Sequence, residues 1–309
     1  MATRLRGRFG YPEDNPFRVT LHPGRVSSLE PALRGTGKII FVCSMGDLFH
    51  QDVPESFIRE ILKLVTATGQ HTFFMLTKRP ERMRNVFESY YATGAAIIRN
   101  LWLGVTAENQ ARANERIPVL LQIPAAVRFV SVEPMLGPVD LSKWLGECNF
   151  CGSSAAKCGS DLWKRGKKCC PDCTHNGVYL NWIICGGETG PGARPMHPDW
   201  VRSLRNQCQE AGIPFFFKSW GDYGIFKTYL HAYKKYAGEL VEFRCVASSD
   251  CHRVGKITWH AYPKDAADDY RDIEIMERIG KKRAGRLLDG RTWDEMPKPW
   301  LRGDNDARI

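Results

Sequence analysis

The stretch Thr72-Phe-Phe-Met-Leu76 is an apolar, strand-like run that stops abruptly at Thr77-Lys78-Arg79, after which Pro80 opens a helix-like segment. The same grammar recurs along the chain. Lys38–Cys43 ends in Ser44-Met45-Gly46-Asp47, Leu101–Val105 in Thr106-Ala107-Glu108-Asn109, and Val127–Val132 in Glu133-Pro134. Trp182–Cys185 ends in Gly186-Gly187-Glu188, and Pro214–Phe217 in Lys218-Ser219-Trp220. Continuous apolar runs suit strands buried on both faces of a parallel sheet. In a parallel barrel every strand delivers its C-terminal end to one rim, where chemistry is done. Asp47, Lys78, Arg79, Glu108, Glu133, Glu188 and Lys218 are therefore expected to converge on one pocket.

The segments between the runs carry helix signals. Pro54 opens a stretch with Phe57, Ile58, Ile61, Leu62 and Val65 on one face, closed by Gly69. Pro80 opens the next, with Met83, Val86, Phe87 and Tyr90 at helical spacing. Residues 108–121 supply Ala111, Ile117, Leu120 and Leu121 ahead of Pro124. Pro198 opens a fourth, with Val201, Leu204 and Cys208 inward, ended by Gly212 and Pro214. Strand starts at 38, 72, 101 and 127 lie about 30 residues apart, the length of a βα unit with a right-handed crossover. The next start, at 182, comes late and locates an insertion.

The expectation is an α/β protein: a partial TIM-type (β/α) barrel over 1–221 with a zinc-knuckle-like insertion at 146–180. A helical or irregular C-terminal extension, 222–309, would pack on the barrel and cap its pocket. The first 37 residues, with several Pro, Gly and Arg, read as a strandless lead-in, so a barrel beginning at residue 38 lacks its usual first strand.

Composition narrows the class. The chain of 309 residues is 43% hydrophobic and 25% charged, ordinary for a globular protein. No run of about 18 apolar residues suggests a membrane span, and the basic opening Met1-Ala-Thr-Arg-Leu-Arg-Gly-Arg8 has no apolar stretch after it to make a secretory signal. Eleven cysteines, scattered except for one cluster, do not read as a disulfide scaffold, so a reducing cytoplasm is expected. The net charge of +10 favours an anionic partner, a nucleic acid or a phosphorylated molecule.

The clustered cysteines form two pairs, Cys148-Asn-Phe-Cys151 and Cys170-Pro-Asp-Cys173, with 18 residues between them. Four thiolates on two tight turns make the tetrahedral shell that structural Zn²⁺ prefers. Cys158, Cys169 and His175 are alternative ligands. Lys157, Lys164, Arg165, Lys167, Lys168 and Trp163 lie between the pairs, a set that could grip a nucleic-acid backbone and stack a base, or simply be a solvated loop. Cys43, Cys185 and Cys208 read as buried structural thiols.

At the expected rim, Gly186-Gly187-Glu188-Thr189-Gly190-Pro191-Gly192-Ala193-Arg194 is the most unusual loop. Its glycines let backbone N–H groups approach a ligand, and Arg194 adds a planar fork for carboxylate or phosphate. Thr77-Lys78-Arg79-Pro80 sets two cations beside a helix start, where backbone donors reinforce anion binding. Alternatively, Lys78 and Arg79 neutralise Glu108 and Glu133 across the rim. Glu108, Glu133 and Lys78 are the candidate acid–base groups. Asp47, Arg79, Asn109, Gly186, Gly187, Glu188, Arg194 and Lys218 are the candidate cofactor-binding groups.

Several segments resemble an uncharacterised protein family of phages and bacteria: Phe41-Val-Cys-Ser-Met-Gly-Asp-Leu-Phe-His50, Leu76-Thr-Lys-Arg-Pro-Glu-Arg-Met83, Trp102-Leu-Gly-Val-Thr-Ala-Glu-Asn-Gln110, Arg128-Phe-Val-Ser-Val-Glu-Pro-Met-Leu-Gly-Pro138, Gly186-Gly-Glu-Thr-Gly-Pro-Gly-Ala-Arg-Pro-Met196 and Phe215-Phe-Phe-Lys-Ser-Trp-Gly221. Members look like partial-barrel proteins of the radical S-adenosylmethionine type. The resemblance implies S-adenosylmethionine and a [4Fe–4S] cluster held by three cysteines after a first strand, with one iron open to the cofactor's amino and carboxylate groups. Gly186-Gly187-Glu188 is similar to the GGE motif that holds that amino group, although it follows a late strand here. No cysteine precedes Cys43. The expectation is therefore that Met1 is an internal methionine, and that the first strand and cluster ligands lie upstream of it.

Three readings follow. The leading one is a radical-S-adenosylmethionine-like protein, associated with phages or mobile elements, that modifies a nucleic acid or nucleotide-like substrate and is inactive as given if the cluster ligands are missing. The second is a non-catalytic, zinc-containing nucleic-acid-binding protein. The third is a cluster-free barrel lyase or hydrolase acting on a phosphorylated substrate.

Overall fold

A computed structural model describes residues 6–8, 10–26, 33, 35, 37–44, 46–145, 179–228 and 273–297. Six strands, β1 (Ile39–Val42), β2 (Thr72–Thr77), β3 (Leu101–Thr106), β4 (Val127–Val132), β5 (Trp182–Gly186) and β6 (Phe215–Ser219), follow chain order in one sheet. The pairs β1–β2, β2–β3, β4–β5 and β5–β6 are parallel. Sequential order with right-handed crossovers puts the connecting helices on one face, the rule for β/α barrels; doubly wound sheets reverse their order. The mixed α/β class and the sequential parallel sheet agree with the partial-barrel expectation. Each strand lies within two residues of its predicted bounds. The zinc-knuckle segment and most of the C-terminal extension fall outside the described residues.

The chain divides into two compact units. The first takes its described residues from Met1–Val105 and Pro118–Arg128. Here β2 and β3 are buried almost throughout. The register Phe41↔Phe74↔Trp102 builds an aromatic row on one face. Phe74 stacks on Trp102 at 4.8 Å, and Phe41 meets Phe74 edge-on at 6.5 Å. Such pairs contribute roughly 0.5–1.5 kcal/mol beyond area burial. β1, at the sheet's edge, leaves Ile39 and Phe41 53% and 42% exposed.

Helix α1 (Glu55–Ala67) buries Ile58, Ile61, Leu62 and Val65, as their spacing predicts. Its C-terminal end is held by buried Asn100, whose side-chain amide donates to the carbonyls of Val65, Thr68 and His71. Those carbonyls lie at or just past the helix end, where intrahelical donors run out. Helix α2 (Pro80–Tyr91) carries Pro80 in its first turn and buries Met83, Val86 and Phe87, while Tyr90 is only half-buried.

The second unit takes its described residues from Thr106–Ile117 and Phe129–Pro297. Helix α3 (Gln110–Leu120) corrects one sequence expectation, because Ala111 is exposed while Ala113, Arg116, Ile117 and Leu120 are buried. With Ile117 and Leu120 facing inward, the helical period carries 113 and 116 onto the same stripe and turns 111 away. The buried arginine hid that phase. Between β4 and β5 the insertion leaves and returns at one place, since Leu180 N–H donates to the Trp144 carbonyl at 3.0 Å.

Helix α4 (Pro198–Ala211) is capped by His197, whose Nδ1 accepts from Asp199 N–H, and ends at Gly212 with a φ of 67°. That left-handed conformation is the usual reason for glycine past a helix end. Beyond β6, the part read as helices and loops contains β7 (Tyr223–Thr228) and β8 (Ile273–Arg278), paired antiparallel, then the short α5 (Lys281–Ala284). The following segment lies along β6. Phe217 N–H donates to Trp293 O, Glu295 N–H donates to Phe215 O, and Trp182 Nε1–H donates to Glu295 O.

Candidate functional site

In the second unit, the C-terminal ends of β4, β5 and β6 present Glu133, Gly186 and Lys218. The Lys218 ammonium lies 2.9 Å from Glu133 Oε1 and 3.0 Å from Oε2. Gly186 leaves room for that carboxylate, since a Cβ there would meet Glu133 Cδ at 3.3 Å. Glu133 is 26% exposed and Lys218 49%, so the pair opens to solvent.

The loop after β5 is fixed by backbone contacts. Gly187 N–H donates to Ser219 O, and Asp222 N–H donates to Glu188 O. Asp222 Oδ2 accepts from Gly190 N–H, and Arg278 donates to Gly190 O at 2.8 Å. Within this frame Glu188 is gripped by Arg194, which donates from its backbone N–H, Nε and Nη2 at 2.9, 2.8 and 3.0 Å. The Arg194 hydrogen bonds hold the Glu188 carboxyl below the usual carboxylate range, against a smaller opposing effect of burial. The sequence signal for this fork is the acid and the arginine in one glycine-rich loop.

Glu108, after β3, meets a buried arginine of α3. Arg116 Nη1 donates to Glu108 Oε2 at 3.0 Å and to the Thr106 carbonyl at 2.8 Å, with the two side chains 13% and 9% exposed. Asn109 accepts from Arg112 N–H and so caps α3. Sequence reasoning missed Arg116. An arginine at an inward helical position, flanked by Ala113 and Ile117, was the available signal.

In the first unit, Asp47 organises the turn after β2. Its carboxylate accepts from Thr77 Oγ1 at 2.8 and 2.9 Å, from Arg79 Nη1 at 2.8 Å and from Phe49 N–H at 2.9 Å. Lys78 beside them is exposed. Arg79 has a local partner in Asp47, and Glu133 has one in Lys218. The unit also holds a cavity of about 440 Å³ lined by Thr66, Gly69, Tyr90, Ala95, Ile98 and Asn100. It lies at the N-terminal end of β3, remote from the strand tips that carry charge, and its buried amide is already bonded. It is no candidate for chemistry.

Among the described cysteines, Cys185 and Cys208 are buried, and desolvation pushes both thiols up. Cys43, expected to be buried, is instead exposed, at a φ of 56° in the turn just after β1. No three His, Cys, Asp or Glu side chains gather in a metal-binding set among the described residues. These residues do not fit a [4Fe–4S] cluster. The four cysteines of the CxxC pairs, Cys148, Cys151, Cys170 and Cys173, lie outside the described residues. No helix among the described residues is long and apolar enough to cross a membrane.

A sequential parallel sheet with acid–base pairs at its strand ends defines the class, an α/β protein of the partial-barrel kind. The chain belongs to the family described as protein of unknown function (DUF5131), whose model matches residues 1–297. No curated protein and no solved structure matches it.

Proposed function

We propose that the ends of β4–β6 bind S-adenosylmethionine through its amino-acid moiety, and that the protein is a radical-S-adenosylmethionine-like enzyme modifying a nucleic acid or nucleotide-like substrate. The observation that carries this reading is the placement of Glu133–Lys218 and Glu188–Arg194 on the ends of neighbouring strands and the glycine loop between them. A ligand bearing both an ammonium and a carboxylate matches such alternating charge. Its ammonium displaces Lys218 from Glu133, and the freed Lys218 then takes the carboxylate. Arg194 offers a second, bidentate carboxylate site when Glu188 turns to the ligand. The unliganded pairs keep the site electrically balanced.

The structural zinc proposed for Cys148, Cys151, Cys170 and Cys173 is supported by the 3.0 Å bond joining Trp144 to Leu180, which closes the base of the insertion. Chain ends held that close suit a metal clip between them.

Calorimetric titration of the full chain tests the reading. S-adenosylmethionine should bind, Glu133→Gln and Lys218→Ala should each weaken it at least about tenfold (~1.4 kcal/mol), and methylthioadenosine, which lacks the amino-acid moiety, should bind worse. No heat with the intact cofactor overturns it. Binding of a phosphorylated ligand instead, lost on Lys218→Ala or Arg194→Ala, selects the cluster-free lyase or hydrolase, which the exposed Arg194 favours.

A further inference from the structure

The segment 278–291 concentrates Arg278, Lys281, Lys282, Arg283, Arg286 and Arg291 against a single acid, Asp289. That acid is already taken, by Arg202 Nε at 2.9 Å and Arg205 Nη1 at 2.9 Å. Arg278 is paired with Asp222, Arg286 with Asp294 and Arg291 with Glu295. Lys281, Lys282 and Arg283 are left exposed on α5, with no acidic side chain against them among the described residues. Like charges crowded on one turn repel one another, and an anion bound there relieves that repulsion.

The turn that bears them is anchored at both ends. Ile279 and Gly280 N–H both donate to Asp222 O, at 3.0 and 2.9 Å. On the far side, Trp220 N–H donates to Gly285 O at 3.2 Å and Trp220 Nε1–H to Leu287 O at 2.8 Å. Asp222 and Trp220 are the same residues that brace the loop carrying Glu188. The cations are thus held beside the ends of β5 and β6, one hydrogen bond removed from the candidate site.

We propose that Lys281, Lys282 and Arg283 form a phosphate-gripping edge that docks a nucleic acid next to this site. The inference deepens the reading of a nucleic-acid substrate and rests on it. A nucleic acid supplies closely repeated negative charge without requiring an apolar partner face. A membrane surface would require an apolar face to insert, and Leu287, 57% exposed, is the segment's one exposed large hydrophobic side chain among the described residues.

The test is fluorescence anisotropy of the full chain with labelled oligonucleotides of about 20 nucleotides, single- and double-stranded, from about 50 to 200 mM KCl. The triple variant K281A/K282A/R283A should bind at least about tenfold more weakly at low salt. Its slope of log affinity against log salt should shrink by about 2 to 3, one phosphate contact per cation. Exchange of the two lysines for arginine should keep both quantities. Lys63→Ala, an exposed lysine on α1, should leave them unchanged. An unchanged urea midpoint verifies that the triple variant folds. Equal affinity and slope in wild type and triple variant overturn the inference, as does binding to phosphatidylserine vesicles without binding to oligonucleotide. These measurements need no cofactor, so loss of S-adenosylmethionine binding removes the rim reading alone and loss of this effect removes the docking edge alone.

Discussion

A Cβ placed on Gly187 would lie 2.0 Å from the carbonyl oxygen of Trp220, and one on Gly221 would lie 2.2 Å from the carbonyl oxygen of Glu188. The loops after β5 and β6 therefore touch backbone to backbone, each through a glycine, and this contact sets where Glu188 stands. Gly221 also has a φ of 79°, which an L side chain rarely adopts.

Gly187→Ala should accordingly destabilise by about 3 kcal/mol, since the opposing atoms are backbone and have no rotamer to yield. Gly137→Ala is the control, with nothing within 4 Å of its added Cβ and no positive φ. It should be neutral or stabilising by about 0.5 kcal/mol through the unfolded chain. Urea denaturation midpoints decide between these outcomes, and equal loss in both variants contradicts the contact.

Arg116 gives a second prediction. Its side chain is nearly buried between the Thr106 carbonyl and Glu108. Arg116→Ala should cost about 1.5–3 kcal/mol, because it removes a charge-assisted hydrogen bond to a largely buried carboxylate. The double variant Arg116→Leu, Glu108→Leu should recover much of that loss. A single variant as stable as the parent would show that the Arg116–Glu108 bond contributes nothing net.

The Glu188–Arg194 fork predicts a pH response. The folded carboxyl titrates below its unfolded value of about 4.3, since Arg194 favours the charged form. Its contribution is complete above that unfolded value and disappears as pH falls through the lower, folded one. Carbon-13 NMR of Glu188 Cδ should thus show a midpoint below about 4.3, moving upward in Arg194→Ala. A midpoint at or above the unfolded value refutes the fork.

Thiol chemistry checks the core. Cys185 and Cys208 are buried, and their thiols resist ionisation. Iodoacetamide at about pH 8 should leave both unlabelled in the native protein and modify both after unfolding, as read by peptide mass spectrometry. Labelling of either within minutes in the native state would contradict this packing.

The strands were legible because each is an apolar run ended by charge, and burial on both faces demands that pattern. Helix α1 was legible for a related reason, since Ile58, Ile61, Leu62 and Val65 carry the 3.6-residue period without a polar intruder. Helix α3 was misread because Arg116 occupies an inward position that a hydrophobicity pattern scores as outward. The β7–β8 pair was missed because no turn signal joins Tyr223–Thr228 to Ile273–Arg278, and long-range pairing leaves no local trace.

The site was partly legible. Glu133, Glu188, Arg194 and Lys218 stand at strand ends, as the repeat implied, but their pairings depend on which side chains share a face. Alternation along β4 and β6 settles that only once the register is known. Asp47 and Asn109 were read as ligand contacts because strand-end polar residues invite that reading. In the structure Asp47 also holds a turn, and Asn109 also caps a helix.

The segment lying along β6 bears on how the protein would respond to shortening. Its bonds from Trp293 and Glu295 occupy the outer row of amides and carbonyls on that strand. A variant cut back to about residue 285 would present those groups unmatched, a ready template for a strand from another molecule. Such a variant should self-associate in a concentration-dependent manner, so this stretch works as a guard against polymerisation.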